Sequence, residues 1–152
     1  MASNVATLIR NLQQRKARKK QRLAVAEGVR LVEDALAAGV VFRGVMVSKG
    51  FGDTERAAPL LRDLSGRAVP IEDVAESVLA QLADTDTPQG VLAVFEPPVW
   101  SWDRISVAPG APVLVLDGVQ DPGNVGTLLR TAYALGAAGT LPCGQSTIDG
   151  AA

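Results

Sequence analysis

The side chains with the clearest chemical potential are Asn124 and Arg130, which lie in a stretch of mostly small and apolar residues. Helical spacing places Arg130 on one face with Gly126, Thr127 and Ala134, away from the apolar stripe of the same segment. An arginine among small residues leaves its guanidinium accessible to a phosphate, a ribose or a second subunit. Asn124 falls in the first helical turn, where free amide groups and the helix dipole favour an anionic oxygen. An ordinary strand-to-helix turn with a surface arginine would show the same pattern.

A predicted unit of strand, tight loop and helix positions these two residues. The strand covers residues 113–116, a short apolar run that is typical of a strand buried on both faces. Asp121 is a good N-cap for the helix, and Pro122 suits its first position because no backbone donor is needed there. The helix is expected to stop at Gly136. Its apolar stripe consists of Val125, Leu128, Leu129, Ala132 and Leu135.

Positive charge is concentrated near the N-terminus. The chain has a formal net charge of −1, yet every charged side chain before Glu27 is basic. A basic segment joined to an acidic body indicates a polyanionic partner, and nucleic acid is the first candidate. A solvated helix end or arm would carry the same charges without any partner. The cations are Arg10, Arg15, Lys16, Arg18, Lys19, Lys20 and Arg22.

The composition excludes several kinds of site. The 152 residues include no histidine and one cysteine, Cys143. A His-based triad and a His/Cys zinc site are therefore excluded, and no metal is expected. An intramolecular disulfide is impossible, which fits a reducing, cytoplasmic location. No secretory signal is expected at residues 1–7, and no apolar run is long enough to cross a bilayer.

Alternating strand and helix patterns predict an α/β architecture. The predicted order is a basic helical segment at residues 1–22, an α/β domain at 23–96, a Pro-rich linker at 97–112 and the start of a second α/β domain at 113–152. Within the first domain, strands are expected at residues 23–26, 42–47 and 91–95, an edge strand at 68–71, and helices at 29–38, 55–64 and 72–82. Trp100 and Trp102 of the linker are expected to pack against a domain face rather than to stack on bases.

The stretch around Asn124 and Arg130 resembles the first signature motif of the SpoU-type (TrmH-like) RNA 2′-O-methyltransferases, which belong to the knotted SPOUT class. Segments further upstream are similar to the beginning and the closing strand of the family's small α/β substrate-binding domain. The resemblance implies an α/β fold in which that domain precedes the first part of a knotted methyltransferase domain. The residues that carry it are 116–126, 129–132 and 135–137 in the motif, and 18–22, 25–32 and 87–94 upstream.

The reaction implied by this resemblance is transfer of a methyl group from S-adenosylmethionine to a ribose 2′-hydroxyl of RNA. Arg130 would contact the target phosphate or ribose and help to activate the hydroxyl. Its planar donor fork suits a phosphate, whereas a group that rarely loses its proton is a poor general base, so an electrostatic and positioning role is favoured. Asn124 would hold the loop and contact the ribose.

The resemblance also implies partners. Ribosomal RNA is favoured as the substrate because a domain precedes the motif, and the complete protein is expected to be a homodimer without membrane association. Phosphate contacts that position the RNA without reading its sequence are expected from Arg18, Lys19, Arg22 and Arg30. For Glu27, a role as a turn or cap residue is favoured over direct RNA contact.

The C-terminal residues depart from the family pattern. Beyond Gly139 and Thr140 the family continues through further strands and two more motifs, whose loops form the knot and hold the methyl donor. Because those motifs are not found here, the donor-binding residues are unknown and the second domain is expected to leave its sheet faces uncovered. On its own, the chain is expected to bind RNA weakly and to transfer no methyl group. The alternatives are a non-catalytic RNA-binding module and another nucleotide-binding α/β protein.

Overall fold

A computed structural model describes residues 4–99, 101, 109–144 and 146. The chain forms two compact units, Met1–Pro98 and Val99–Ala152. The boundary between them falls inside the segment predicted as a linker. Trp100 and Trp102 lie outside the described residues. Within the described ranges, no helix combines the length and the apolar character needed to cross a membrane.

A four-stranded mixed sheet organises the first unit. The spatial order of its strands is β1, β4, β2, β3. Strand β4 runs antiparallel to both of its neighbours, and the edge strand β3 runs parallel to β2. The strands are β1 at Ala24–Glu27, β2 at Val41–Ser48, β3 at Ile71–Val74 and β4 at Val91–Glu96.

Four helices cover the two faces of this sheet: α1 at Asn4–Leu12, α3 at Val29–Ala37, α4 at Ala57–Gly66 and α5 at Glu76–Ala80. Helix α2, at Arg15–Gln21, contacts α1 and contributes no buried residue. Alternate residues of the central strands point to opposite faces. Thus Val45 lies in the core with α3 and α4, whereas Met46 lies in the core with α1 and α5. Both faces of the sheet are therefore buried, as the apolar runs of β2 and β4 require.

The sequence predicts a helix at residues 72–82, but this is wrong for residues 72–74, which belong to the edge strand β3. The predicted edge strand at residues 68–71 is displaced towards the C-terminus, and the following helix α5 is correspondingly short. Backbone bonds to β2 hold this segment extended: Val45 donates to the Pro70 carbonyl at 2.8 Å, and Lys49 donates to the Val74 carbonyl at 3.0 Å. Such non-local pairing overrides the helical pattern of the segment.

Helix α1 packs directly onto the sheet. Val5, Ile9 and Leu12 are buried beside Met46 and other residues of that face. The approach is close at Gly44, where a Cβ atom would lie 2.5 Å from a methyl carbon of Val5. Helix α1 is therefore part of the first unit, whereas the sequence placed residues 1–22 ahead of a domain at residues 23–96.

We expect replacement of Ile9 by alanine to lower the free energy of unfolding by about 2–5 kcal/mol, since the side chain is 1% exposed and its loss leaves a cavity. Urea unfolding followed by circular dichroism measures this change. Arg10→Ala is the matched control, because Arg10 is the exposed neighbour on the same helix and should change stability by less than about 0.5 kcal/mol. An unchanged urea midpoint for Ile9→Ala would mean that α1 is not part of the cooperative core.

The second unit contains a strand, a helix and a parallel strand: β5 at Val113–Asp117, α6 at Pro122–Ala134 and β6 at Gly139–Cys143. The predicted start and stop of the helix are confirmed. Asp121 is the N-cap, Pro122 is the first helical residue, and Gly136 adopts a φ of +77° just beyond the end.

Strand β5 corrects a second prediction, because it is not buried on both faces. Leu116 is 3% exposed, whereas Val115 is 58% exposed. Of the predicted helical stripe, Val125 is fully buried but Leu128 and Leu135 are 38% and 76% exposed. The cause is that α6 covers one side of β5 and β6, and no described element of this unit covers the other.

Candidate functional site

The loop between β5 and α6 is fixed by hydrogen bonds at the carboxyl ends of the two strands. The hydroxyl of Ser146 donates to the Leu116 carbonyl at 2.9 Å and accepts from the Val119 N–H at 3.1 Å. The Asp121 carboxylate accepts from the Asn124 N–H at 2.7 Å and closes the first turn of the helix. The start of α6 is therefore held from both sides, and its side chains project from a defined backbone.

The Arg130 guanidinium folds back over the helix onto Gly126, one turn earlier. A Cβ atom at Gly126 would lie 3.1 Å from Nη1 of Arg130. Nη2 donates weakly to the Thr127 hydroxyl oxygen at 3.4 Å, and that hydroxyl in turn donates to the Gly123 carbonyl at 2.9 Å. Gly126 is buried, and the three heavy atoms nearest to such a Cβ all belong to the Arg130 guanidinium. The small residues that the sequence placed around Arg130 therefore form a seat for its side chain.

Arg130 remains exposed while it occupies this seat. A guanidinium carries five N–H donors in one plane, and the Thr127 contact uses a single one of them. The remaining donors can engage a phosphate or a ribose oxygen, with the fork geometry that suits a phosphate. The arrangement can thus bind and orient a sugar-phosphate.

Asn124 differs from the predicted arrangement in one respect. Its backbone N–H, expected to be free for an anionic oxygen, is bound by the Asp121 carboxylate. Its side chain is exposed. Six residues along an α-helix correspond to about 9 Å of rise and about 120° of rotation, so Asn124 and Arg130 start from different faces of α6. They can contact one extended ligand, but they do not form a contact pair.

Arg18 combines the predicted charge with a structural contact. Its Nη1 donates to the carbonyls of Leu12 and Gln13 at 2.9 and 3.0 Å. These carbonyls lie at the C-terminal end of α1, where the helix dipole is negative and backbone acceptors are unpaired. Arg18 is half-buried as a result, and it joins α2 to α1.

The remaining predicted phosphate contacts fall in two places. Lys19 is exposed on α2, and Arg22 is exposed at its C-cap with a φ of +53°. Arg30 is the exposed second residue of α3. The four-residue strand β1 separates the two places by about 13 Å, at about 3.3 Å per residue. The structure therefore groups Arg18, Lys19 and Arg22 and leaves Arg30 beyond the other end of the strand.

A cleft at that far end of β1 went unpredicted. It has a volume of about 210 Å³ and is lined by Glu27, Gly28, Thr85, Thr87 and Gln89. The Glu27 carboxylate accepts from the Asp84 N–H at 2.8 Å and from the Thr85 hydroxyl. Glu27 therefore holds a loop that is distant in sequence, and not only its own turn. Proximity of residues so distant in sequence follows from the antiparallel pairing of β1 with β4, which local patterns do not reveal.

The carboxyl ends of β5 and β6 bring Gly144 close to Asp117 and Ser146 close to Leu116. A Cβ atom at Gly144 would lie 2.5 Å from the Asp117 carboxylate, and the Ser146 hydroxyl already has two backbone partners. Ser146 is therefore committed to the loop, and no side chain of this chain is assigned to the methyl donor.

Comparison with known proteins identifies the first unit. The family model of the MRM3-like substrate-binding domain matches residues 7–93, which is more than half of the chain. The chain belongs to this family. The family assignment confirms the substrate-binding domain inferred from the sequence.

Relatives that match most of the chain, including parts of both units, are named RNA methyltransferases. It is 39% identical over 135 residues to an uncharacterised tRNA/rRNA methyltransferase of Synechocystis, which covers 86% of this chain and 46% of that protein. It is 32% identical over 127 residues to the 23S rRNA (guanosine(2553)-2′-O)-methyltransferase RlmP of Bacillus subtilis, covering 84% of this chain and 46% of RlmP. The chain thus spans less than half the length of these two relatives.

The fold comparison extends over both units. The crystal structure of the SpoU methyltransferase AviRb from Streptomyces viridochromogenes, in complex with the cofactor AdoMet, matches with a TM-score of 0.79 at 26% identity. The match covers 95% of this chain and 53% of AviRb. The predicted SpoU-type resemblance and the α/β fold class are therefore confirmed for this member of the MRM3-like family.

Proposed function

We propose that the chain is the RNA-binding and arginine-bearing part of a ribosomal RNA 2′-O-methyltransferase that uses S-adenosylmethionine as its methyl donor. The observation that carries this proposal is the seat of Arg130: an exposed guanidinium held over a buried glycine at the start of a capped helix. RlmP is named as a 23S rRNA methyltransferase, and AviRb was crystallised with the same donor. These similarities support the substrate class and the cofactor.

Arg130 would act by position and charge. When bound, S-adenosylmethionine supplies the methyl group, and the ribose oxygen must approach it in line. A guanidinium that binds the neighbouring phosphate fixes the ribose in that approach and stabilises negative charge developing on the 2′-oxygen. Because it stays protonated, Arg130 does not accept the hydroxyl proton. Asn124 would contact the ribose from the first turn of the helix.

The basic residues would bring the polymer to the protein. Lys19 and Arg22 on and after α2, and Arg30 on α3, present exposed cations, and Arg18 adds charge while it joins α1 to α2. Such contacts bind phosphates in any sequence.

We also propose that the complete enzyme is a cytoplasmic homodimer. Tyr133 and Leu135 are 86% and 76% exposed at the end of α6, and Val115 is exposed on β5. The end of α6 and the uncovered side of β5 therefore offer apolar surface that a second copy would cover.

The function is tested by deleting the gene that encodes this chain and mapping the 2′-O-methylated riboses of ribosomal RNA by their resistance to alkaline hydrolysis. We expect one modified ribose to be lost and to return when the gene is reintroduced. An unchanged methylation map would contradict the methyltransferase function. If the purified chain nevertheless bound RNA, the non-catalytic RNA-binding module would be the better description.

A further inference from the structure

We infer that the cleft between the end of β1 and the loop before β4 binds one unpaired guanine base of the RNA. This inference rests on the proposed function, because it names a feature of the RNA that the first unit recognises. The cleft is lined by Glu27, Gly28, Thr85, Thr87 and Gln89 and has a volume of about 210 Å³. That volume lies below the roughly 300–1,000 Å³ of pockets for drug-sized ligands, so it suits a single base better than a whole nucleotide.

Glu27 presents an oriented acceptor in this cleft. One carboxylate oxygen accepts from the Asp84 N–H and the other from the Thr85 hydroxyl. An ionised carboxylate has about four lone-pair sites, so each oxygen can accept one further hydrogen bond. Because both oxygens are already held by the loop, the carboxylate is fixed before a ligand arrives. A fixed negative charge repels phosphate, and the cleft therefore suits a base and not the RNA backbone.

Gln89 presents a donor in the same cleft. Its Oε1 accepts from the Val29 N–H at 3.3 Å, at the start of α3. This bond identifies which end of the amide is the oxygen. It leaves the two N–H donors of Nε2, at the other end of this exposed side chain, for a ligand. Gly28 makes the arrangement possible: its φ is +93°, and a Cβ atom there would lie 3.0 Å from Oε1 of Gln89.

An acceptor pair and an amide donor lining one cleft match the Watson–Crick edge of guanine. Guanine alone among the four bases offers two adjacent donors, N1–H and the N2 amine, next to the acceptor O6. A carboxylate can take both donors at once, as a bidentate pair, while an amide donates to O6. Adenine and cytosine offer one donor group each beside an acceptor, and uracil offers one donor between two acceptors. Bases in single-stranded RNA expose this edge, and proteins read it in loops and bulges.

The test measures binding of the purified chain to short oligouridines that differ at one central position, by fluorescence anisotropy. The position holds guanosine, inosine (which lacks the N2 amine) or adenosine. We expect the guanosine oligonucleotide to bind about tenfold more tightly than the other two, as is typical for loss of a bidentate base contact. Equal affinity for all three would overturn the inference.

Variants assign the preference to the cleft. Glu27→Gln should bring the guanosine affinity down to the inosine level, and Gln89→Ala should weaken guanosine binding independently of the Glu27 loop contacts. Glu55→Gln, which removes an exposed carboxylate elsewhere in the same unit, should keep the full preference. A guanosine preference that survives in both folded cleft variants would also overturn the inference. Absence of binding to any of the RNAs would instead contradict RNA recognition itself, and with it the proposed function.

Discussion

Replacement of Arg130 by alanine is expected to lower 2′-O-methylation of ribosomal RNA by about 10²–10³-fold, the usual loss when one preorganised donor is removed from a site of developing charge. The folded state should be little affected, since the side chain is exposed and makes one long hydrogen bond of 3.4 Å. The measurement is the extent of methylation in cells that carry the variant gene in place of the native one, together with thermal unfolding of the purified chain.

Two further variants separate charge from geometry at this position. Arg130→Lys keeps the positive charge but loses the planar fork, so it should recover only part of the activity. Gly126→Ala keeps Arg130 but places a methyl group 3.1 Å from its Nη1, which shifts the guanidinium by a few tenths of an ångström. Alanine is about 1 kcal/mol better than glycine inside a helix, so this variant should lower activity less than Arg130→Ala does and should not lower stability. Native methylation in the Arg130→Ala strain would contradict the proposed role.

Local chemistry explains why the helix that carries Arg130 could be predicted from its sequence. Asp121 and Pro122 act on the first turn of the helix and Gly136 acts just beyond its last turn, so each signal is local to the helix end that it sets. Strand β3 could not be predicted in the same way, because its extended backbone is held by β2, which lies more than twenty residues earlier. The exposure of Val115 has a similar origin. An apolar run predicts that a surface will be covered, but it does not say which element covers it.

In the candidate sites, too, residue types could be predicted from the sequence, whereas contacts between distant segments could not. The basic run predicted the position of Arg18, but its hydrogen bonds to Leu12 and Gln13 depend on the angle between α1 and α2. The cleft joins Glu27 to a loop that lies 58 residues further along the chain. Residue types alone therefore indicated an RNA partner and the arginine, whereas the seat at Gly126 and the cleft required the folded backbone.

Removal of three exposed cations from α2 and its C-cap is expected to reduce RNA affinity on the order of 10²-fold at low salt. The variant is Lys16→Gln, Lys20→Gln, Arg22→Gln, and all three side chains are exposed. Arg18 is left in place because its loss would also loosen the corner between α1 and α2. For single-stranded RNA, each phosphate contact contributes about 0.7 to the slope of log K against log salt concentration. If each of the three cations contacts one phosphate, their removal should make this slope less steep by about 2.

A second triple variant, Lys49→Gln, Arg62→Gln, Arg67→Gln, removes the same charge from exposed positions elsewhere in the first unit. It should retain most of the affinity and most of the salt slope, because those residues lie outside the segment proposed to bind RNA. Fluorescence anisotropy over a salt series measures both quantities for both variants. Equal losses in the two would mean that the RNA responds to net charge alone, and the α2 segment would then not be a binding site. If the α2 variant loses more affinity and more of the salt slope than the control variant, the bound phosphates lie beside α2.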